Sequence, residues 1–422
     1  MPELKPFQGI RYNPEQIEDL TDVICQPYDQ ISNKMERAYK NKSPYNFVRL
    51  VLTKYAEGHD RQREYRDAKK SLDQWTKDGI FIQDSAPSIY PYWQEFTLND
   101  KTYVRKGFVC LVRLEELGKG NILPHEKTLS KPKADRLNLL RITHRDLEPV
   151  FLLYTDAENR VNGLIQKKCK DKPLAEVEDE LKVTHKLWCI DDAKTVENVI
   201  KTLKGSIFVI ADGHHRYETA YNYSTEMKTE GDHPANFKMI TLVNIEDPGL
   251  VILPTHRLVK DVPDFSLVPF LEKTEKYFEI TKTDREHITE HLAKEKSHAF
   301  GFLSAQTAYI LKLKDKKAMK KKLGDRSAAY QDLDVAILHT LLIEDVLGIT
   351  SETLEDHVRY ERVVRTAMRR IDSGEFQFCF VMNPTRPEQV KEIAENKERM
   401  PQKSTDFFPK LISGLVHYDV SG

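Results

Sequence analysis

This chain of 422 residues lacks most of the features that assign a protein to a compartment or a standard catalytic apparatus. Its five cysteines, at positions 25, 110, 169, 189 and 379, are scattered and never form C-x-x-C. That argues against a disulfide framework or a cysteine zinc site and fits a reducing compartment. No apolar run approaches the roughly 18 residues of a membrane-spanning helix. The opening residues MPELKPFQGIRYNPEQIED carry no apolar stretch of the secretory kind. The expectation is a cytoplasmic chain with no membrane partner. Charge of one sign is missing too: 65 Lys and Arg against 66 Asp and Glu leave a net charge of -1. No broad electrostatic case for nucleic acid follows from that balance. G-x-x-x-x-G-K-[ST], G-x-G-x-x-G, H-E-x-x-H and G-x-S-x-G are all absent. A P-loop, a dinucleotide fingerprint, a zinc helix and a nucleophile elbow are therefore excluded.

What is present is an ordinary globular composition, 40% hydrophobic and 31% charged, long enough for two or three domains. A polar helix over about Asp60 to Lys77 has Tyr65, Leu72 and Trp75 spaced for one buried face. SIYPYWQEFTL and KTYVRKGFVCLVRL flank Asn99-Asp100, which predicts a hairpin. Pro149 to Tyr154, Leu187 to Ile190, Ile207 to Ala211, Phe237 to Ile245 and Leu250 to Val259 read as strands, and residues 193–204 as a helix. Farther on, KYFEITKT, HAFGFLSAQ, TAYILKLK and FQFCFVM are strand-like. DLDVAILHTLLIEDVLG has helical spacing, and Thr385 to Asn396 is a helix with Pro387 in its first turn. The basic stretch Lys312 to Arg326 has no interleaved aromatics and reads as a solvated loop rather than a nucleic-acid patch.

Four polar clusters fall at strand ends or in loops, where sites are usually built. Asp212-Gly213-His214-His215-Arg216 sits where the strand IFVIA hands over to a helix. Such a turn offers backbone N–H groups to phosphate, a carboxylate to Mg²⁺ and a guanidinium fork to phosphate oxygens. His214 and His215 are adjacent and point apart, a poor pair for one metal ion. Pro124-His125-Glu126 follows a strand, with Glu126 a candidate carboxylate base among Lys127, Thr128, Lys131 and Lys133. Lys403-Ser404-Thr405 offers a cation and two hydroxyls to phosphate or carboxylate. Thr255, His256 and Arg257, after Pro254, are candidate substrate-binding residues at a strand end. The segments Pro27 to Ser32 and Ser43 to Leu50 are two further candidate site loops. Carboxylates, imidazoles and cations gathered from several loops describe phosphoryl transfer better than hydride or acyl transfer.

The Pro124-His125-Glu126, Asp212 to Arg216 and Lys403-Ser404-Thr405 motifs together resemble the free serine kinases of the ParB/sulfiredoxin-like superfamily, in the same order. The whole layout, with PYDQIS, SPYNFVRL, ADGHHRYETA, LPTHRLV and MPQKST, is similar to the DUF1015 family. The kinase resemblance implies an α+β fold with a ParB/sulfiredoxin-like nucleotide-binding core, an N-terminal extension and an α+β insertion. The expected division is residues 1–120, 121–260 and 261–422. It implies a Mg²⁺-dependent kinase using ADP or ATP on a small hydroxyl-bearing metabolite, free L-serine foremost. Glu126 would then be the general base, with His125 beside it. Asp212 would hold Mg²⁺ or orient the hydroxyl. Gly213, His214, His215 and Arg216, with Lys403, Ser404 and Thr405, would bind phosphate or the amino-acid carboxylate. Some 120 residues precede the first motif and the gap to Asp212 is wider than in the small kinases, so the insertion reads as a lid, a second pocket or a different acceptor site. Sulfiredoxin chemistry is excluded, because His214 stands after Gly213 where that enzyme needs cysteine. Two rival readings remain: a nucleotide-binding regulatory module, and a metal-dependent phosphohydrolase using His125, Asp212 and His256.

Overall fold

The structure is a computed structural model that describes residues 2–52, 61–126, 131–295 and 297–422. Lys127 and Thr128 lie outside the described residues, as do the side chains of Lys131 and Lys133. The chain is a mixed α+β protein whose contacts gather into two compact units. Unit 1 comprises Met1–Pro124, Thr128–Val251 and Pro409–Gly422; unit 2 comprises His125–Lys127 and Ile252–Phe408.

Unit 1 is built on a nine-stranded mixed sheet. Its strands are β1 (Leu4–Lys5), β2 (Tyr90–Leu98), β3 (Lys101–Arg113), β4 (Ile122–Pro124), β5 (Val150–Tyr154), β6 (Ala175–Glu178), β7 (Thr184–Leu187), β8 (Phe208–Asp212) and β9 (Phe237–Asn244). The order is β4-β8-β5-β9-β3-β2-β7-β6, with β1 pairing β3. β8 runs parallel to β4, and β9 parallel to β5. Both central strands, VFLLY and FKMITLVN, are buried at every position, as expected of strands covered on two faces. β2 instead alternates. Its turn to β3 places Asn99 at φ 50 and Asp100 at φ 61, the left-handed pair that a two-residue hairpin of the right twist requires. The helices used below are α1 (Arg61–Lys77), α2 (Lys131–Thr143), α3 (Ala193–Thr202) and α4 (His214–Met227). In α1, Tyr65, Leu72 and Trp75 are buried in a cluster with Phe47, Phe81 and Leu139. Burying each such side chain contributes about 1.5–3 kcal/mol. The strand read at Leu187 to Ile190 falls earlier, at Thr184–Leu187.

Unit 2 is built on a six-stranded sheet of β10 (His256–Val259), β11 (Phe278–Thr283), β12 (Ala299–Ser304), β13 (Ala308–Leu313), β14 (Val358–Glu361) and β15 (Phe378–Met382). The order is β11-β13-β12-β15-β10-β14, every neighbour antiparallel. Helix α5 (Pro387–Glu395) starts with proline at its first turn, where no N–H is missed. Two expectations change here. The apolar helix read over DLDVAILHTLLIEDVLG is wound as a π-helix from Leu338 to Val346. The basic stretch is no plain loop, since Lys317–Lys322 is helical around a fully buried Met319. Among the described residues, no helix is long and apolar enough to cross a membrane.

Candidate functional site

In unit 1 the sequence turn Asp212 to Arg216 is a designed corner. The register of β8 against β5 slips between Ile210 and Asp212, a bulge that re-aims the Asp212 side chain. Gly213 follows at φ 92 as the N-cap of α4, a conformation that only glycine adopts cheaply. A Cβ there would stand 3.0 Å from the Arg216 guanidinium. One turn along α4, Arg216 Nη2 donates to Asp212 Oδ2 at 2.8 Å, and Nη1 donates to the Pro149 carbonyl at 2.7 Å. His214 is buried and His215 half-buried.

Sequence reasoning missed the second cation of this corner. Lys410 Nζ lies 3.3 Å from Asp212 Oδ1. Burial alone would raise the Asp212 carboxyl, but the Lys410 ammonium and Arg216 guanidinium, with His214, outweigh it and hold the group well below the usual carboxylate range. Lys410 is placed by its main chain. Gln94 and Arg105 are register partners on β2 and β3, both buried to 1% exposure. Gln94 Nε2 donates to the Lys410 carbonyl at 2.8 Å. Arg105 donates to the Pro409 carbonyl and, from Nε, to Gln94 Oε1 at 3.0 Å. Behind them Tyr92, His185 and Asp179 continue the buried polar chain, with Tyr92 OH 2.7 Å from His185 Nδ1 and His185 Nε2 3.2 Å from Asp179 Oδ2. The candidate loop Pro27 to Ser32 also reaches charged groups of unit 1: Tyr28 N donates to Glu148 Oε1 at 3.2 Å, and the Arg136 guanidinium lies over the Tyr28 ring. Ser43 to Leu50 is structural, since Asn46 is fully buried on the carbonyls of Asp22 and Ile24.

The remaining predicted residues meet in unit 2. Met400 N donates to the His125 carbonyl at 2.7 Å, which lays the 400–405 loop beside the Pro-His-Glu segment. Lys403 takes φ 55, a left-handed conformation costing a non-glycine residue about 1–2 kcal/mol. The next two amides then converge. Ser404 N and Thr405 N donate to Glu126 Oε1 at 3.1 and 3.2 Å, and Thr405 Oγ1 donates at 3.1 Å. His125, fully buried, brings Nε2 to 2.8 Å from Thr405 Oγ1. His256 and Arg257 lie beneath the loop at 2% and 1% exposure. Both side chains are engaged within the fold. His256 Nδ1 accepts from Met382 N at 3.1 Å, and Arg257 Nη2 donates to the Lys403 carbonyl at 3.0 Å. Thr255 is half-buried, and its carbonyl accepts from Arg257 Nη1. Burial, reinforced by Arg257, lowers His256 to about 4; Arg257 itself is lowered by burial to about 10.

Asp212 does not fit the metal role expected of it. Each of its oxygens already faces a cation, so a divalent ion on either would stand beside an ammonium or a guanidinium. Among the described residues no group of three or more His, Cys, Asp and Glu is placed to hold a metal ion.

Fold and corners together define a mixed α+β protein with one cation-rich helix N-terminus and one nest of convergent amides. The chain belongs to the family described as protein of unknown function DUF1015, whose profile matches residues 4–336. No match was found among curated proteins. Among solved structures it is similar to a conserved hypothetical protein from Pyrococcus furiosus, at 13% identity and a TM-score of 0.36, covering 71% of this chain and 91% of that one. It is similar to a free serine kinase in complex with AMP at 12% identity and a TM-score of 0.35, covering 73% and 94%. A C-terminally truncated SbnI from Staphylococcus aureus matches at 10% identity and 0.37, covering 73% and 86%.

Proposed function

We propose that this protein is a kinase with a ParB/sulfiredoxin-like nucleotide-binding core, transferring a phosphoryl group from ADP or ATP to a small hydroxyl-bearing metabolite, free L-serine foremost. One observation carries the reading: the Pro124-His125-Glu126 and Asp212 to Arg216 motifs occur in one chain, and each gathers groups of the kind phosphoryl transfer uses. The first holds a carboxylate in a hydrogen-bonded turn. The second presents two cations and a helix N-terminus around a carboxylate. Transfer of this kind needs no covalent enzyme intermediate, because positioning and charge stabilisation supply most of the catalysis. Arg216 and Lys410, with the α4 amides, are assigned the phosphates. Asp212 orients the two cations. Glu126 is assigned the proton of the acceptor hydroxyl, and His125 holds Thr405 beside it. A Mg²⁺ ion, which the resemblance implies, would accompany the donor's own phosphates; no role is given to it on Asp212.

The test is purified protein with nucleotide, Mg²⁺ and L-serine, followed by phosphoserine detection. Turnover with ADP or ATP is expected, and Glu126→Gln should remove nearly all of it while nucleotide affinity stays within about twofold. No product with either donor, over a panel of amino acids and small alcohols, sinks the kinase. One observation favours a second reading, a nucleotide-binding regulatory module: Glu126 Oε1 is taken up by three donors of the turn. Saturable nucleotide binding without any acceptor turnover selects it.

A further inference from the structure

The Lys403–Thr405 turn has the build of an anion site. Lys403 is left-handed, and the two amides after it aim at one oxygen. Successive N–H groups arranged in this way form a nest that binds oxyanions. The carbonyls of the turn are tied off in other directions. Arg257 takes that of Lys403 at 3.0 Å, and Thr385 Oγ1 takes that of Ser404 at 2.8 Å. Ser404 Oγ is likewise turned away, onto the Pro401 carbonyl at 2.6 Å. The turn therefore keeps its donors convergent through contacts that do not involve Glu126. Beneath it lies a second mark of anion chemistry. Arg257 is a guanidinium at 1% exposure whose Nη groups meet carbonyls and the Met382 sulfur, and whose Nε has no hydrogen-bond partner. Its positive charge is felt by Glu126 above and by His339, whose Nε2 is also buried without a partner. A buried cation of this kind favours an anion in the turn over a neutral group. The Lys403 side chain is exposed at the same place.

We infer that the Lys403–Thr405 turn is an oxyanion site which Glu126 itself fills, and that the carboxylate or phosphate of a bound small molecule exchanges for the Glu126 carboxylate there. The ligand class is a small oxyanion that accepts two backbone N–H groups and the Thr405 hydroxyl through one oxygen. Exchange would release the Glu126 carboxylate only when an anionic molecule has arrived. In the kinase reading, on which this last consequence rests, the base is thereby freed by its own substrate. The exchange itself does not depend on that reading. A site occupied by an internal competitor binds external ligand more weakly by the fraction of time it stands open, so removing the competitor should tighten binding.

The probe is inorganic phosphate, titrated calorimetrically into the full chain at constant ionic strength, with acetate in parallel to separate phosphate from carboxylate preference. Glu126→Ala should bind one or both probes at least about tenfold tighter than the unsubstituted chain. Adding Thr405→Ala to it should give back most of that gain. Glu126→Gln, which keeps the side-chain volume, should also tighten binding, though less, and covers a failure of Glu126→Ala to fold. Binding no tighter in either variant overturns the inference. So does a gain that Thr405→Ala leaves untouched. Turnover is read separately: tighter phosphate binding in Glu126→Ala, together with no phosphoserine from the unsubstituted chain, sustains the exchange and removes the kinase.

Discussion

Lys410 is the residue on which the charge of the Asp212 corner turns. An ammonium 3.3 Å from one carboxylate oxygen and a guanidinium 2.8 Å from the other set two cations on Asp212, with the Glu148 and Asp29 carboxylates also acting on Arg216. Charge-assisted contacts of this kind are about twice as strong as neutral ones. Lys410→Met is therefore expected to weaken nucleotide binding about tenfold, near 1.4 kcal/mol, with the fold retained. Calorimetric titration of ADP and ATP checks this; unchanged affinity assigns Lys410 a purely structural part. Gly213 answers to backbone geometry instead. Gly213→Ala at φ 92 should cost about 1–2 kcal/mol and push the Arg216 guanidinium away. Denaturant melts would show the loss, and an unshifted midpoint contradicts the strain.

At the scale of elements, the corner depends on the β2–β3 hairpin. Gln94 and Arg105 stand opposite each other in its register and grip the chain at Pro409 and Lys410. Arg105→Met strips donors from the Gln94 amide and the Pro409 carbonyl in a buried place. It should cost about 2–4 kcal/mol and, more tellingly, lower nucleotide affinity although Arg105 is 1% exposed. Loss of stability with affinity intact would separate the hairpin from the corner. The hairpin itself was legible, because Asn99-Asp100 tolerates left-handed dihedrals between alternating runs. So was the Asp212 corner, since strand, glycine and helix follow one another directly. The grip was not legible. Arg105 sits in a strand whose pattern does not mark it out, and Lys410 is separated from Asp212 by almost half the chain. No local period records such a contact. The nest was half legible: Lys403-Ser404-Thr405 showed as polar residues, but the left-handed Lys403 has no signal in a lysine. The burial of His256 and Arg257 was not legible, because a strand end reads the same whether it is open or covered. The π-helix over Leu338 to Val346 shares the apolar spacing of an α-helix, so periodicity could not tell them apart.

Across the whole molecule, covered histidines set a pH dependence, and burial lowers four of them: His185, His256, His339 and His417. Burial holds His256 to about 4 and His339 to about 3, each aided by Arg257, and holds His417 to about 3, aided by Arg145. An unfolded histidine titrates near 6.5. Between pH 6.5 and about 4 the unfolded chain takes up protons that the folded chain refuses, so stability falls as pH falls. The slope is about 1.4 kcal/mol per pH unit for each group, levelling off below the folded values and absent above 6.5. Urea unfolding at pH 7 and pH 5 reads this directly. A stability that rises on acidification would contradict neutral, buried rings. His256→Asn, which can still accept from Met382 N, should remove its own share of that slope, about 1.4 kcal/mol per pH unit.

The return of residues 409–422 to unit 1 has a consequence in time as well as in space. Ser413 exchanges backbone hydrogen bonds with Cys25, His417 does so with Ile10, and Lys410 caps Asp212. During synthesis, unit 1 has almost all its strands long before the ribosome reaches these residues, yet every residue of the 252–408 stretch is made first. Lys410 thus reaches Asp212 only after the whole 252–408 stretch has been made. A ribosome that stalls or a protease that clips before Pro409 yields a protein with an incomplete corner, so only a chain translated through Lys410 can carry that charge to Asp212.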